Sequence, residues 1–313
     1  MVGAMGPKTQ NLVDNYAVQK HQVGSSIKPL TVYSAALDAG AVTPATTFDN
    51  YPVELMNNSP WPKNSPNTYT GWTMIGEGVR RSINTIAVQT VEALGVVDSY
   101  AYATEKLGLS LVPEDMAVSP LAMGGLTYGL STVEMAAAFS AFANSGVYNS
   151  PKMYTEVRDS NGETVLKNEG ETHVAMKETT AYFMNQMLTS VVNAGTGTSA
   201  KFSGMTIAGK TGTTNDNADG WFIGYTPSIT AGIWVGAEDR QVHFQSLALG
   251  SGSNMALPIW GIFMKKVLKD GTLGISETDR FIAPAGMNID LSCSGGDEDA
   301  DRKASSEADY YFD

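Results

Sequence analysis

The sequence is poor in the residues that most metal, disulfide and histidine-based sites require. It contains one cysteine, Cys293, and three histidines, His21, His173 and His243. One cysteine cannot form an internal disulfide or a cysteine-cluster metal site. No two histidines have helix-face spacing, no H-E-x-x-H occurs, and no histidine lies in a nucleophile-elbow context. We therefore expect no metal, no other cofactor and no Ser-His-Asp hydrolase site.

Long apolar runs and positive charge are also scarce. The longest apolar run, around residues 259–267, is broken by lysines and is shorter than the roughly 20 residues that span a bilayer. Residues 1–10 lack the basic and apolar segments of a signal peptide. The net charge of −12 would repel phosphate backbones, so we predict no nucleic-acid partner.

What the chain does contain is enough apolar material for a core. Hydrophobic residues make up 42% of the 313 residues and charged residues 17%, which fits one large domain or two modest ones. From about residue 295 the sequence becomes strongly acidic, which is typical of a disordered segment.

The order of the expected elements predicts an α+β fold. Residues 43–72 are rich in proline, asparagine and threonine, which predicts a long irregular loop of the kind often found at functional sites. Because helices fill the middle of the chain and strands come late, we expect an antiparallel sheet flanked by helices, with an all-helical subdomain. Spacing predicts helices over residues 26–39, 73–81, 85–94, 97–107, 132–144, 177–192 and 257–268, and strands over residues 154–158, 164–167, 205–209, 220–225 and 229–235.

The first motif that could carry chemistry is Ser25-Ser26-Ile27-Lys28, at the start of the first expected helix. A serine hydroxyl is a poor nucleophile unless a base takes its proton, and Lys28 lies on the same helical face as Ser25. A desolvated ammonium near another cation has a lowered pKa and can act as that base. The N-terminus of the helix also suits a developing oxyanion. A helix-capping serine near a surface lysine is the ordinary alternative, but no other Ser-x-x-Lys occurs.

The second motif is Ser82-Ile83-Asn84, between two expected helices. Serine and asparagine at such a place usually cap helices, so this motif is weak alone. A second Ser-x-Asn, Ser65-Pro66-Asn67, lies in the proline-rich loop. We favour Ser82, because flanking helices would hold its side chain rigidly.

The third motif is Lys210-Thr211-Gly212-Thr213-Thr214, at the end of an expected strand. An edge strand with this composition presents a cation, hydroxyls and backbone N–H groups to one ligand, and glycine permits close approach. A polar turn after a strand is the common alternative. Residues 204–211 also match the phosphate-loop pattern G-x-x-x-x-G-K-[ST], which would indicate nucleotide binding. The context disfavours that, because neither a buried strand before the pattern nor a helix after it is expected.

Taken together and in this order, the three motifs resemble those of the serine acyltransferases that include serine β-lactamases. Over roughly residues 20–270 the chain is similar to the transpeptidase domain of class A penicillin-binding proteins. The resemblance is carried by residues 24–30 (GSSIKPL), 80–89 (RRSINTIAVQ), 116–146 (MAVSPLAMGGLTYGLSTVEMAAAFSAFANSG) and 208–227 (AGKTGTTNDNADGWFIGYTP).

The resemblance implies a role for each motif residue. Ser25 would be the acylated nucleophile and Lys28 its base. Ser82 would relay protons to the leaving amine, and Asn84 would bind the backbone of the substrate. Lys210 would tune the electrostatic field around Ser82.

The strand motif would supply the remaining contacts. Thr211 and Thr213, together with Lys210, would hold the terminal carboxylate of the donor peptide, and Gly212 and Thr214 complete this substrate-binding strand. The backbone N–H groups of Ser25 and Thr213 would form the oxyanion hole.

The implied reaction is peptidoglycan D,D-transpeptidation, with stem peptides, lipid-linked or polymerised, as substrates and β-lactam antibiotics as covalent inhibitors. A D,D-carboxypeptidase, a β-lactamase or a β-lactam-binding sensor would use the same motifs. The family implies the extracytoplasmic face of the bacterial cytoplasmic membrane, although no signal or anchor is recognised here.

The resemblance also predicts a domain organisation. We expect a partial N-terminal strand region at residues 1–24, with residues 2–6 as a strand remnant, and the transpeptidase domain at residues 25–275. Residues 276–313 would be the acidic, disordered tail. Because such domains normally begin with sheet strands ahead of the nucleophile, the expected sheet lacks part of its usual complement.

Overall fold

The computed structural model describes Met5 and residues 15–202 and 204–287. The expected strand remnant, apart from Met5, and the acidic tail beyond residue 287 lie outside the described residues. The helices are α1 (Ser34–Asp38), α2 (Ile75–Arg81), α3 (Asn84–Leu94), α4 (Val96–Ala101), α5 (Val118–Met123), α6 (Thr132–Ala143), α7 (Glu178–Ala194), α8 (Leu247–Gly250) and α9 (Ala256–Lys269). The strands are β1 (Thr47–Asn50), β2 (Glu54–Met56), β3 (Ser59–Trp61), β4 (Gly71–Met74), β5 (Val147–Asn149), β6 (Glu156–Arg158), β7 (Thr164–Lys167), β8 (Thr172–Val174), β9 (Ala208–Thr213), β10 (Asp219–Tyr225) and β11 (Thr230–Gly236).

The first expected helix, over residues 26–39, changes its winding along its length. It begins as a 3₁₀ turn at Gly24–Ile27, continues as a π-helical turn at Pro29–Tyr33 and becomes α-helical only in α1. Pro29 explains the start, because it has no N–H to donate to the carbonyl of Ser25. The N–H of Lys28 bonds that carbonyl instead, which is the i→i+3 pattern of a 3₁₀ helix.

The prediction of an irregular loop over residues 43–72 was wrong in part, because residues 62–70 are irregular but the rest of the segment contains short strands. This segment forms two small antiparallel pairs, β1 with β4 and β2 with β3. The β-branched and aromatic residues at Thr47–Asn50 and Gly71–Met74 have strand propensity, which the surrounding prolines and asparagines concealed. Of the two tryptophans in this segment, Trp72 is 78% exposed and Trp61 packs against the core.

The central helices confirm the prediction made from hydrophobic spacing. α6 begins at a capping box in which the Ser131 hydroxyl accepts the N–H of Glu134 and the Glu134 carboxylate accepts the N–H of Ser131. Its larger apolar side chains Met135, Phe139 and Phe142 are buried, as expected for a helix that is apolar nearly all round. The expected hairpin over residues 154–167 is also confirmed, as β6 paired with β7.

The largest sheet has the strand order β11-β10-β9, all antiparallel. Successive side chains of β10 point to opposite faces: Trp221 and Ile223 enter the larger core, while Phe222 joins a second core with Trp260 of α9. α6 and α7 therefore cover one face and α9 the other, which confirms the α+β class and the helix-flanked antiparallel sheet.

The expected strand at residues 205–209 was placed too early. β9 runs from Ala208 to Thr213, in register from Ala208 opposite Tyr225 to Thr213 opposite Gly220. Lys210, Thr211 and Gly212 therefore lie inside an edge strand, not after it. Lysine and glycine have low strand propensity, and only pairing with β10 places them in a strand.

In the described part of the chain, no helix combines the length and apolarity that a membrane crossing needs.

Close packing of β9 against the 3₁₀ turn gives a stability prediction. A Cβ at Gly212 would lie 2.5 Å from the carbonyl oxygen of Val23 and 3.0 Å from the Ser26 side chain. We expect Gly212→Ala to lower the free energy of unfolding by about 1–3 kcal/mol, because backbone must move to relieve the contact. Gly125→Ala is the control, since no atom lies within 4 Å of its added Cβ. Urea unfolding measures both, and equal stability of the two variants would contradict the prediction.

Candidate active site

Ser25 lies in the 3₁₀ turn at Gly24–Ile27, where its neighbours Gly24 and Ser26 are buried and Ser25 itself is half-buried. Gly24 has φ +51° and packs against the backbone of Thr213, where a Cβ would come within 2.6 Å of a carbonyl oxygen. Glycine is therefore required immediately before Ser25. Within the described residues the Ser25 hydroxyl makes no hydrogen bond, so it remains available to a substrate.

Lys28 is fully buried behind this turn. Its amine donates to the backbone oxygen of Ser82 at 2.8 Å and to Oδ1 of Asn84 at 2.6 Å, and lies 3.5 Å from the Ser82 hydroxyl. All of these acceptors are neutral. The first and second sequence motifs, 54 residues apart, are thus joined through one amine.

Lys210, also fully buried, approaches Ser82 from β9. Its amine donates to the Ser82 hydroxyl at 2.8 Å and to the backbone oxygen of Thr211 at 3.0 Å. The Ser82 hydroxyl therefore lies between two lysine amines. The alternative serine, Ser65, has no hydrogen bond to either lysine, so the geometry favours Ser82-Ile83-Asn84 over Ser65-Pro66-Asn67.

The backbone at Ser82 is in the left-handed region, with φ +61° and ψ +38°. Its N–H bonds the Val79 carbonyl and the next N–H, of Ile83, bonds the Gly78 carbonyl, which ends α2. Glycine or asparagine usually occupies such a helix end. A serine in this strained conformation between two helices is typical of a functional position.

Burial lowers the pKa of both lysines. Desolvation, followed by the nearby Lys210, lowers the pKa of Lys28 well below its ordinary value. Desolvation lowers the pKa of Lys210 to about 7. A buried amine with a lowered pKa is unprotonated at a lower pH than an ordinary lysine, which is what a general base requires.

The free edge of β9 presents backbone groups to the Ser25 turn. The N–H of Thr214 bonds the carbonyl of Asp219 on β10. In an antiparallel pair of strands, directly opposed residues alternate between pairs that exchange backbone hydrogen bonds and pairs that do not. Thr213 and Gly220, the next pair along, therefore do not exchange hydrogen bonds. The N–H of Thr213 accordingly points away from β10. That edge is the one that contacts the Ser25 turn, which agrees with the Gly24–Thr213 approach.

The threonine hydroxyls of the third motif already have protein partners. The Thr211 hydroxyl pairs with that of Thr196 at 2.8 Å, and the Thr213 hydroxyl accepts the N–H of Gly252. The Thr214 hydroxyl donates to the Asp219 carboxylate and accepts the Asp219 N–H. Thr214 is therefore committed to shaping the turn after β9, whereas Thr213 keeps its hydroxyl proton to donate.

Two residues that the sequence did not single out support the site. Asp219 is buried and binds Thr214, Trp234 and Arg240. Asn64, in the segment expected to be irregular, accepts the N–H groups of Asn84 and Thr85 at 3.0 and 3.3 Å. Neither stands in a pattern that sequence reasoning could have separated from ordinary turn residues.

The phosphate-loop interpretation of residues 204–211 is wrong. Lys210 is buried against Ser82 in the middle of β9, and β9 leads into a single 3₁₀ turn, Asn215–Asn217, and not into a helix. A phosphate loop needs a glycine-rich turn at the start of a helix, with an exposed lysine.

Among the described residues, no group of His, Cys, Asp and Glu is suited to hold a metal ion.

Known proteins resemble this chain in sequence and in fold. The chain is 37% identical over 252 residues to Penicillin-binding protein 1A of Clostridium botulinum, an alignment covering 78% of this chain and 30% of that protein. Its fold matches the crystal structure of Penicillin-Binding Protein 1A from Haemophilus influenzae with a TM-score of 0.70 at 23% identity, covering 82% of this chain and 43% of that one. The PonA1 protein from Mycobacterium tuberculosis, solved in complex with penicillin V, matches with a TM-score of 0.67 at 23% identity, covering 82% and 72%.

The chain spans about a third of the length of Penicillin-binding protein 1A of Clostridium botulinum and of Clostridium acetobutylicum, two curated relatives that it matches. The sequence model of the family described as "Penicillin binding protein transpeptidase domain" matches residues 4–246, which include all three motifs. That match covers well over half of the chain, and the chain therefore belongs to the penicillin-binding protein transpeptidase family.

Proposed function

We propose that this chain catalyses D,D-transpeptidation of peptidoglycan stem peptides through an acyl-enzyme on Ser25, and that β-lactams acylate the same hydroxyl. One observation carries the proposal: the buried amine of Lys28, one turn beyond Ser25, shares the Ser82 hydroxyl with the buried amine of Lys210. A nucleophile, a base of lowered pKa and a proton relay are thereby assembled without a histidine or a metal.

In the first half-reaction the neutral amine of Lys28 takes the proton of Ser25, and Ser25 Oγ bonds to the carbonyl carbon of the D-Ala–D-Ala peptide. The N–H groups of Ser25 and Thr213 receive the oxyanion that forms. When the intermediate collapses, the C–N bond breaks and the leaving D-Ala nitrogen takes a proton from the Ser82 hydroxyl. The proton held on Lys28 then returns to Ser82.

In the second half-reaction the amine of a neighbouring stem peptide bonds to the ester carbonyl carbon and gives up one proton to Lys28. The ester C–O bond then breaks, and Lys28 returns that proton to the Ser25 oxygen. Until D-Ala leaves in the first half-reaction, Lys210 and the hydroxyls of Thr211 and Thr213 hold its terminal carboxylate, and Asn84 binds the peptide backbone of the donor. Transfer to water would instead give a carboxypeptidase, and no transfer would give a sensor. These substrates place the reaction on the extracytoplasmic face of the membrane, where the family works.

The proposal predicts a covalent adduct at Ser25. Incubation with benzylpenicillin should raise the intact mass by that of one penicillin molecule, because the β-lactam ring opens onto Ser25 with no leaving group lost. Ser25→Ala should give no adduct, and Ser26→Ala should retain it, since the Ser26 hydroxyl bonds only the Val23 carbonyl. An adduct that persists in Ser25→Ala would assign the nucleophile elsewhere.

The lowered pKa values predict the pH dependence of acylation. Lys28 must be neutral to accept the Ser25 proton, so the acylation rate constant at saturating penicillin should rise with pH and level off well below pH 10.5. The Lys210 ammonium loses its charge as pH rises through about 7, so apparent affinity for the penicillin carboxylate should fall above that pH. Stopped-flow acylation from pH 5 to 10 separates the two effects. A rate constant that still rises steeply at pH 10 would rule out Lys28 as the base.

The hydroxyl and the left-handed conformation of Ser82 predict that two variants of this residue lose activity equally but differ in stability. Ser82→Gly and Ser82→Ala both remove the hydroxyl between the two lysines, so acylation should fall about 100-fold in each. Glycine accepts φ +61° without strain, so Ser82→Gly should exceed Ser82→Ala in stability by about 1 kcal/mol. Thermal unfolding and penicillin acylation on the same samples test this pair. Equal stability of the two variants would show that the conformation at residue 82 is unstrained.

A further inference from the structure

The N-terminus of α3 is capped by a residue from outside the helix. Residue 83, which precedes α3, is isoleucine, and its side chain makes no capping hydrogen bond. The first N–H groups of a helix have no intrahelical partner and need an external acceptor. Here Oδ1 of Asn64, about 20 residues earlier in the chain, accepts the N–H groups of Asn84 at 3.0 Å and of Thr85 at 3.3 Å.

The carboxamide of Asn64 is itself held in one orientation. Its Nδ2 donates to Oδ1 of Asn50 at 2.8 Å and to the carbonyl of Thr68 at 2.9 Å. Asn50, which is 1% exposed, accepts the Thr85 hydroxyl at 2.6 Å with the same Oδ1 and donates to Thr70. An amide whose donors and acceptor are all engaged cannot turn over, so Oδ1 of Asn64 stays directed at α3.

The same contact places the side chain of Asn84. Nδ2 of Asn84 donates at 2.7 Å to the carbonyl of Lys63, the residue next to Asn64. With its nitrogen fixed on that side, the Asn84 carboxamide must turn its oxygen to the amine of Lys28, which it meets at 2.6 Å. The segment at residues 63–64 therefore decides which end of the Asn84 amide faces Lys28.

We propose that Asn64 is a positioning residue for acylation of Ser25: by capping α3 from the preceding segment it fixes the Asn84 carboxamide against Lys28. This inference rests on the proposed acyl transfer at Ser25. Asn64 itself touches neither lysine and acts through Asn84. The segment over residues 43–72 thus contributes to the catalytic geometry.

The test compares three variants of the full chain. Asn64→Ala removes the acceptor and both donors, and should lower the acylation rate constant at saturating penicillin at least tenfold, roughly the effect of a small displacement of a catalytic group. Asn64→Asp keeps an oxygen for the two N–H groups but loses the two donors to Asn50 and Thr68, so it should recover part of the rate. Asn67→Ala is the matched control, because Asn67 is exposed in the same segment and its carboxamide accepts only the Tyr69 hydroxyl.

Amide hydrogen exchange on the same samples separates this inference from the proposed function. The backbone amide protons of Asn84 and Thr85 should exchange faster in Asn64→Ala than in the unmodified chain. Their exchange rates should be unchanged in Asn67→Ala. Acylation by Asn64→Ala within twofold of the unmodified chain, or loss of rate that Asn64→Asp fails to recover, would overturn the positioning role. If the unmodified chain forms no adduct, the proposed function fails, and the positioning role that rests on it is rejected even if exchange still detects the cap.

Discussion

Everything in the candidate active site depends on two lysine amines buried without a carboxylate partner. Lys28 and Lys210 are fully buried, and within the described residues their amines donate hydrogen bonds to oxygens of Ser82, Asn84 and Thr211, all neutral. Burying an uncompensated ammonium is unfavourable, and a protein resolves this by lowering the pKa of the group. The fold therefore gives up stability to hold amines that are unprotonated at a lower pH than an ordinary lysine.

This constraint explains why the surrounding backbone is so closely packed. Gly24, Gly124 and Gly212 let the Ser25 turn, the loop after α5 and β9 approach within distances that any Cβ would prevent. Ser82 takes a left-handed conformation at the end of α2, which brings its hydroxyl between the two amines. Strain and close approach at one place, supported by regular helices and a sheet, are typical of a site that is held rigid for chemistry.

The support also extends into a part of the chain with little regular structure. Asn64 and Asn50 form a small hydrogen-bonded network that connects β1, the segment after β3 and the start of α3. Through Asn84 this network reaches Lys28. Asp219 supports the other side of the site: its carboxylate and its N–H both bond the Thr214 hydroxyl, which fixes the turn between β9 and β10. Each half of the site is thus held by a buried polar residue outside the three motifs.

The sequence alone determined the α+β class, most of the longer helices, and the three motifs with their order, because hydrophobic period and residue spacing are local properties. It also singled out Ser25 and Lys28, since their spacing places both on one helical face. Only the tertiary structure decided which Ser-x-Asn faces Lys28, that Lys210 lies within an edge strand, and that Asn64 caps α3. These features depend on contacts between residues 20 to 128 positions apart. No local pattern encodes such contacts, because they arise only when β9, α3 and the Ser25 turn pack together.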